Sequence, residues 1–340
     1  MPSLIAAQIK ALAITAAVVA ASGPAVAADF YQGKTLRLVV SSDTGGGYDA
    51  YARTFATYLR RHIPGEPTII VQNMPGAGGM AAANWTFNVA PKDGTVLLLH
   101  QRGIPFHPYL GEKNAMFVPT DFNWIGSFNS ETGITAMWHT AKVKTFEDVF
   151  KETAVLGGSG PNDSETYPFL MNNTIGTKFR IVSGYKSNVT AWLAMERGEV
   201  EGVSGSWASL KANRPQWIRE KHVNLIVQVD RQKHVDLPDV PLLLDYVKTP
   251  EHRTMWNVMI AMAAMGRPLA MPHGVPAEQV DTLRAAFAAT MKDPAYLAEM
   301  QKSNRELSPI GGEEMQGMMR EVAAVPRETL VKLNSWIRRQ

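Results

Sequence analysis

Leu36-Arg37-Leu38-Val39-Val40-Ser41-Ser42, followed by Asp43-Thr44-Gly45-Gly46-Gly47-Tyr48-Asp49, is the stretch that decides the fold. A short apolar run of strand character ends in small polar residues, and three glycines break it. Tyr51, Phe55, Tyr58 and Leu59 then recur at i, i+4, i+7 and i+8, the apolar stripe of a helix. Pro64-Gly65 stops that helix, and Thr68 to Val71 reads as a second strand. Asn73 to Gly79 is a Gly/Pro loop, Met80 to Asn88 a short helix, and Asp93-Gly94 turns the chain into a third strand, Thr95 to His100. The succession is βαβαβ, the unit of an open parallel sheet with helices on both faces.

Outward from this unit the pattern restarts. After a strand at Trp124 to Phe128, Thr145 with Asp148 three residues on predicts a capping box for a helix running through Lys151. Strands are expected at Ala154 to Gly158, Phe179 to Val182, Val200 to Ser204 and Leu225 to Val229, with helices at Ser164 to Asn173 and Asn188 to Arg197. Residues 29–130 then form one α/β lobe and 131–250 a second. Residues 251–340 return to the first, mainly as helix. Pro276 marks one helix start there, and helices Glu313 to Val325 and Glu328 to Arg339 are expected to pack back on the first lobe.

The N-terminus bears on location. Lys10 precedes an apolar run, Ala11 to Ala21, too short to span a bilayer. Gly23-Pro24 breaks the run, and Ala25-Val26-Ala27 has the small-x-small form of a signal peptidase site. Residues 1–28 are therefore expected to be a signal peptide cleaved near Ala27 or Ala28, which places the mature chain in the periplasm. The chain has no cysteine, so no lipid anchor and no thiolate metal site is expected. A net charge of only +3 with scattered basic residues argues against a nucleic-acid partner.

Ligands of open parallel sheets bind off the carboxyl ends of strands, where loops lead into helix N-termini. Four loops there are rich in glycine or small polar residues: Ser41 to Asp49, Asn73 to Gly79, Gly157 to Ser164, and Ser204 to Trp207. Their backbone amides suit a carboxylate. Arg102, on the same rim, can take a second carboxylate in bidentate fashion, and Tyr185 and Trp207 are candidate ligand walls as well as candidate core. Enzyme signatures fall short. Gly45-x-Gly47-x-x-Ala50 and Gly76-x-Gly78-x-x-Ala81 lack the acidic residue that a nicotinamide ribose needs, because the following strands end in Gln72-Asn73 and His100-Gln101. Gly157-Gly158-Ser159-Gly160 and Gly202-Val203-Ser204-Gly205 narrowly miss the nucleophile elbow. The eight histidines contain no His-x-x-x-His pair. No cofactor or metal is expected.

These residues resemble the extracytoplasmic receptors of tripartite tricarboxylate transporters, the Bug or TctC-like family, over nearly the whole mature chain. Val71-Gln72-Asn73-Met74-Pro75-Gly76-Ala77-Gly78-Gly79 is similar to the family's V-x-N-x-P-G-A-G-G segment, and Pro91-Lys92-Asp93-Gly94-Thr95 to its P-x-D-G-T turn. Gly184-Tyr185-Lys186, Gly198-Glu199-Val200-Glu201 and Leu237-Pro238-Asp239-Val240-Pro241 match three further stretches. The resemblance implies a two-lobed periplasmic-binding-protein fold (type II-like), without catalysis, that clamps a small carboxylate for membrane permease subunits and acts as a monomer. By position, the first ligand loop supplies Ser42, Gly46, Gly47 and Asp49, and the second is the Gly160 to Ser164 stretch, with Gly160, Asn162, Asp163 and Ser164 as its candidate contacts; Asp43 is a further candidate in the first loop that the family pattern does not supply. Two departures stand out. Ser41, Ser42 and Asp43 replace a Pro-aromatic pair, and Asp163-Ser164-Glu165-Thr166 replaces Ser-x-His-Leu. Both make the cleft more polar and more acidic, which counts against a simple tricarboxylate, and Asp43 beside three glycines points to a ligand that carries an amino group or several hydroxyls beside its carboxylate. A sensor for a membrane kinase and a periplasmic enzyme on the same scaffold are the alternative readings.

Overall fold

The computed structural model describes residues 30–160, 162–185 and 187–338. The expected signal peptide lies outside them. Strands β1 (Thr35–Val40), β2 (Thr68–Asn73), β3 (Val96–Leu99) and β4 (Asn123–Ser127) precede a first crossing of the chain. Strands β5 (Gly133–Trp138), β6 (Ala154–Gly158), β7 (Phe179–Ser183), β8 (Gly202–Ser206) and β9 (Val223–Val229) follow it, and β10 (Pro268–Met271) and β11 (Ile310–Gly311) come after the chain has crossed back. The first sheet has the order β11-β4-β10-β3-β1-β2 and the second β7-β6-β8-β5-β9. The fold is α/β and two-lobed, with helices flanking two mixed sheets.

The expected parallel core is there, since β1 pairs in parallel with both β2 and β3. Strand β10 then enters antiparallel between β3 and β4. The chain returns from the second lobe in the opposite direction, so the sheet is mixed. Neither β10 nor β5 was expected from the sequence. Pro268-Leu269-Ala270-Met271 is four residues long and buried throughout, so it shows no alternation. Strand β5 pairs antiparallel with β8 and β9. Thr145 and Asp148 do not cap an α-helix. Asp148 accepts from the amides of Lys144 and Thr145, and only a single 3-10 turn, Glu147–Phe150, follows.

One core layer buries Leu36, Leu38 and Val40 of β1 against Phe55 of the Gly47–Leu59 helix and Phe287 of the Ala277–Thr290 helix. A larger layer runs from Leu98 of β3 and Trp124 of β4, through Met255 and Trp256 of the Pro250–Ala264 helix, to Leu170 and Met171 in the second lobe. The Gly312–Ala323 helix packs on β4 as expected, and there is no room between them: a Cβ at Gly312 would meet the Trp124 carbonyl. The Arg327–Trp336 helix does not go back to the first sheet. It packs on the Asp163–Ile175 and Pro250–Ala264 helices, with the Asn173 Nδ2 donating to the Trp336 carbonyl at 3.3 Å.

The two crossings lie side by side and are bonded to each other. Phe128 N donates to Arg267 O, Gly266 N to Asn129 O, and Glu131 N to Ala263 O. Ser308 joins them, its amide donating to Phe128 O and its carbonyl accepting from Ser130 N. Gly266 is in close contact there, because a Cβ would stand 2.8 Å from the Asn129 carbonyl oxygen. The cleft opens directly above this paired segment.

Candidate functional site

A cleft of about 260 Å³ lies between the lobes. The first lobe contributes Tyr48, from the start of the Gly47–Leu59 helix, and Arg102, from the turn after β3. The crossings contribute Glu131, Gly266 and Arg267. The second lobe contributes Asn162, Asp163, Asn188, Ser206 and Ser209. Apart from Gly266, every one of these side chains is polar.

Tyr48 ties three of the pieces together. Its hydroxyl accepts from the Arg102 amide at 2.8 Å and donates to the Gly266 carbonyl at 3.0 Å. The Arg267 guanidinium carbon lies 5.6 Å from the centre of the Tyr48 ring and 4.1 Å from that of Tyr51, a cation–π placement. Among the described residues the buried Arg267 Nε has no hydrogen-bond partner. Buried N–H groups are rarely left so.

Arg102 reaches across the cleft. Its Nη2 is 3.4 Å from Asp163 Oδ2 and its Nη1 3.7 Å from Glu131 Oε2. Both contacts exceed the 2.7–2.9 Å of a tight charge-assisted hydrogen bond, so the guanidinium is neutralised without being locked. Asp163 and Glu131 hold Arg102 firmly in its charged form against its burial. Burial pushes the Asp163 carboxyl up from the ordinary aspartate range, while Arg102 pulls it down. Two guanidinium groups thus face two carboxylates among amides and hydroxyls.

Of the residues singled out from the sequence, Arg102, Asn162 and Asp163 line this cleft. Asn162 also caps the Asp163–Ile175 helix, accepting from Ser164 N. Ser164 is fully buried beneath the loop, where its hydroxyl accepts from Ser159 N and donates to Asn162 Oδ1. The Gly160 amide donates to Glu165 Oε1. Ser42, Asp43, Gly46 and Gly47 belong to an open loop and are not among the residues lining the cleft; Asp43 is exposed. Asp49 is buried and committed to that loop's own shape. It accepts from the Gly45 amide and from Arg53, whose bond, ahead of the Gly45 one, lowers its carboxyl to about 2. Trp207 lies in the second lobe's core with its indole N–H donating to Asp236, and Tyr185 is half-buried against the same cluster.

Sequence reasoning missed Glu131, Asn188, Ser209, Gly266 and Arg267. Tyr48 and Ser206 stood within loops it had marked, but neither was singled out. Glu131 and Arg267 lie on the crossings, and nothing local marks a crossing. A lone Arg267 between Gly266 and Pro268 is the only trace.

Residues 52–328 match the family described as the tripartite tricarboxylate transporter family receptor. A UPF0065 protein of Bordetella bronchiseptica is 24% identical over 340 residues, covering 95% of this chain and 90% of its own length. Among solved structures, a TctC solute-binding protein from Polaromonas superposes with a TM-score of 0.72 at 20% identity, over 90% of this chain and 99% of that one. R. palustris Rpa4515, solved with adipate, superposes with a TM-score of 0.57 at 18% identity, over 89% and 97%. The fold and the family match agree, and this chain belongs to the tripartite tricarboxylate transporter receptor family.

Proposed function

We propose that this receptor is exported through a leader at residues 1–28 and works in the periplasm as a monomer. There it captures a small carboxylate that also carries an amino group or hydroxyls and passes it unchanged to the membrane permease. Residues 29–130 and the strands and helices that follow the second crossing near Arg267, down to the Gly312–Ala323 helix, make one lobe of the clamp, and the second sheet with the Pro250–Ala264 and Arg327–Trp336 helices makes the other. The observation that carries the reading is the charge pattern of the cleft, where Arg102 and Arg267 face Glu131 and Asp163. A plain dicarboxylate brings two further negative charges beside two fixed carboxylates. At about 4 Å each like-charge contact costs roughly 4 kcal/mol in a surface-like medium. An amino acid brings opposite charges that each find a partner. A hydroxy acid brings one charge for a guanidinium and donors for the carboxylates. Asp163, rather than the exposed Asp43, is the acidic selector in this reading. The first loop, with Ser42, Gly46 and Gly47, closes over the ligand carboxylate. The adipate held by the R. palustris relative agrees with a carboxylate as the common element.

Mass spectrometry of small molecules released from denatured protein identifies the natural ligand. Calorimetry then compares amino acids, hydroxy acids and plain dicarboxylates on wild type and Asp163→Asn. The variant weakens an amino acid and improves a plain dicarboxylate. A wild type that prefers plain di- or tricarboxylates to every amino or hydroxy acid rules the reading out.

A further inference from the structure

A second cavity, of about 370 Å³, adjoins the cleft. The two share Arg102, Asn162 and Asp163, so the Arg102–Asp163 contact is the partition between them. Their linings differ in kind. The cleft is polar throughout, whereas the second chamber combines an apolar floor, Leu110, Met259, Met262 and Ile337, with the charged Glu112 and Arg338. Met259, Ala263 and Ile337 are more than nine-tenths buried. Its walls come from the loop after Arg102, the Asp163–Ile175 helix, the Pro250–Ala264 helix and the Arg327–Trp336 helix, so it spans the same junction as the cleft.

We propose that the chamber is a tail subsite: the ligand is an amino or hydroxy acid whose apolar chain passes the Arg102–Asp163 partition and lies on the methionine-lined floor. This rests on the reading of the cleft as the site of the charged head. The partition suits passage, because its 3.4 Å contact is loose and a ligand carboxylate at Arg102 replaces Asp163 as the counter-charge. Two methionines and a leucine form a floor that adapts to unbranched or branched chains, since methionine has three soft torsions and a polarizable sulfur. The head sets charge selectivity, and the chamber sets preferred length.

The test titrates two homologous series into the full chain by calorimetry. One is alanine, norvaline and norleucine, and the other is lactate with its longer straight-chain 2-hydroxy homologues. Each methylene that enters the chamber strengthens binding roughly three- to fourfold. Met262→Trp fills the chamber from the helix side and collapses this dependence on chain length. Leu110→Trp does so from the loop that follows Arg102 and serves if the first variant folds poorly. Affinity that does not change with chain length in wild type, or a dependence that survives both variants, overturns the tail subsite and leaves the reading of the head standing. Failure of every member of both series to bind overturns the head reading and the subsite with it.

Discussion

The two loops at the helix N-termini facing the cleft were equivalent as sequence and differ as structure. In the first, the Gly47–Leu59 helix begins at Gly46 with no side-chain cap, and Gly45 is the only glycine of the three whose amide a side chain is found to hold. In the second, side chains take up the donors. Ser164 holds Ser159 N, Glu165 holds Gly160 N, and Asn162 holds Ser164 N, while Ser159 Oγ donates to Asn188. First-turn amides have no partner within their own helix. One lobe therefore leaves these donors without side-chain partners, and the other consumes them and presents a charged side chain, Asp163, at the cleft. Glycine content alone does not make an anion site; what decides is whether nearby side chains have already claimed the amides.

The sharpest test of this asymmetry is Arg102→Ala. If the guanidinium holds the ligand carboxylate, the substitution costs about 2–5 kcal/mol of binding. Melting temperature should move little, because Arg102 anchors no core. Affinity within about threefold of wild type, ~0.6 kcal/mol, would mean that the open loop does the work alone. Second in size is a buried imidazole at the end of β3. His100 follows β3 and is fully buried against Phe122 and Trp124, and neither ring nitrogen has a partner among the described residues. Burial lowers its pKa from 6.5 to about 3. Above about pH 6.5 the group is neutral in both states and stability is undiminished. Below that only the unfolded chain takes the proton, so stability falls by up to ~1.4 kcal/mol per pH unit until the folded value is reached. At about pH 5 the loss is roughly 2 kcal/mol. Denaturant midpoints for wild type and His100→Leu should diverge on acidification, and parallel curves would show that His100 is hydrated or paired.

Smaller effects separate the loops directly. Asn162→Ala removes a cap and frees the Ser164 amide, costing about 0.5–2 kcal/mol of stability by thermal unfolding. The matching change in the first loop behaves in the opposite way. A Cβ at Gly47 meets nothing within 4 Å, so Gly47→Ala should leave stability unchanged or raise it by up to about 1 kcal/mol. It should nonetheless weaken the ligand roughly tenfold, ~1.4 kcal/mol, by crowding the amides. Unchanged affinity there would place the anion elsewhere.

How far this was legible follows from where each residue gets its position. The parallel β1, β2 and β3 with their loops were readable because strand, glycine and helical stripe are neighbours in sequence. Arg102 was readable by the same local logic, as the residue that leaves a buried strand at the ligand end of the sheet. Strand β10 was not, since it is short, apolar on both faces, and assigned only by the sheet it enters. Glu131 and Arg267 were not, because they are brought together by backbone bonds between crossings well over a hundred residues apart. Asp49 was misleading for a related reason. A carboxylate in a ligand loop also suits a loop that braces itself, and Arg53 one helical turn on decides for bracing.

The bonded crossings carry a consequence for measurement. Glu131, Gly266 and Arg267 stand on the bonded crossings, so an opening of the jaws about that segment would displace them least and the outer loops most. The chain contains no cysteine, so thiols introduced at the exposed Asp43 and at the exposed Val189 of the opposite lobe become its only thiol-labelling points. A fluorescent pair placed there converts capture of a solute into an optical signal, at positions that do not line the pocket.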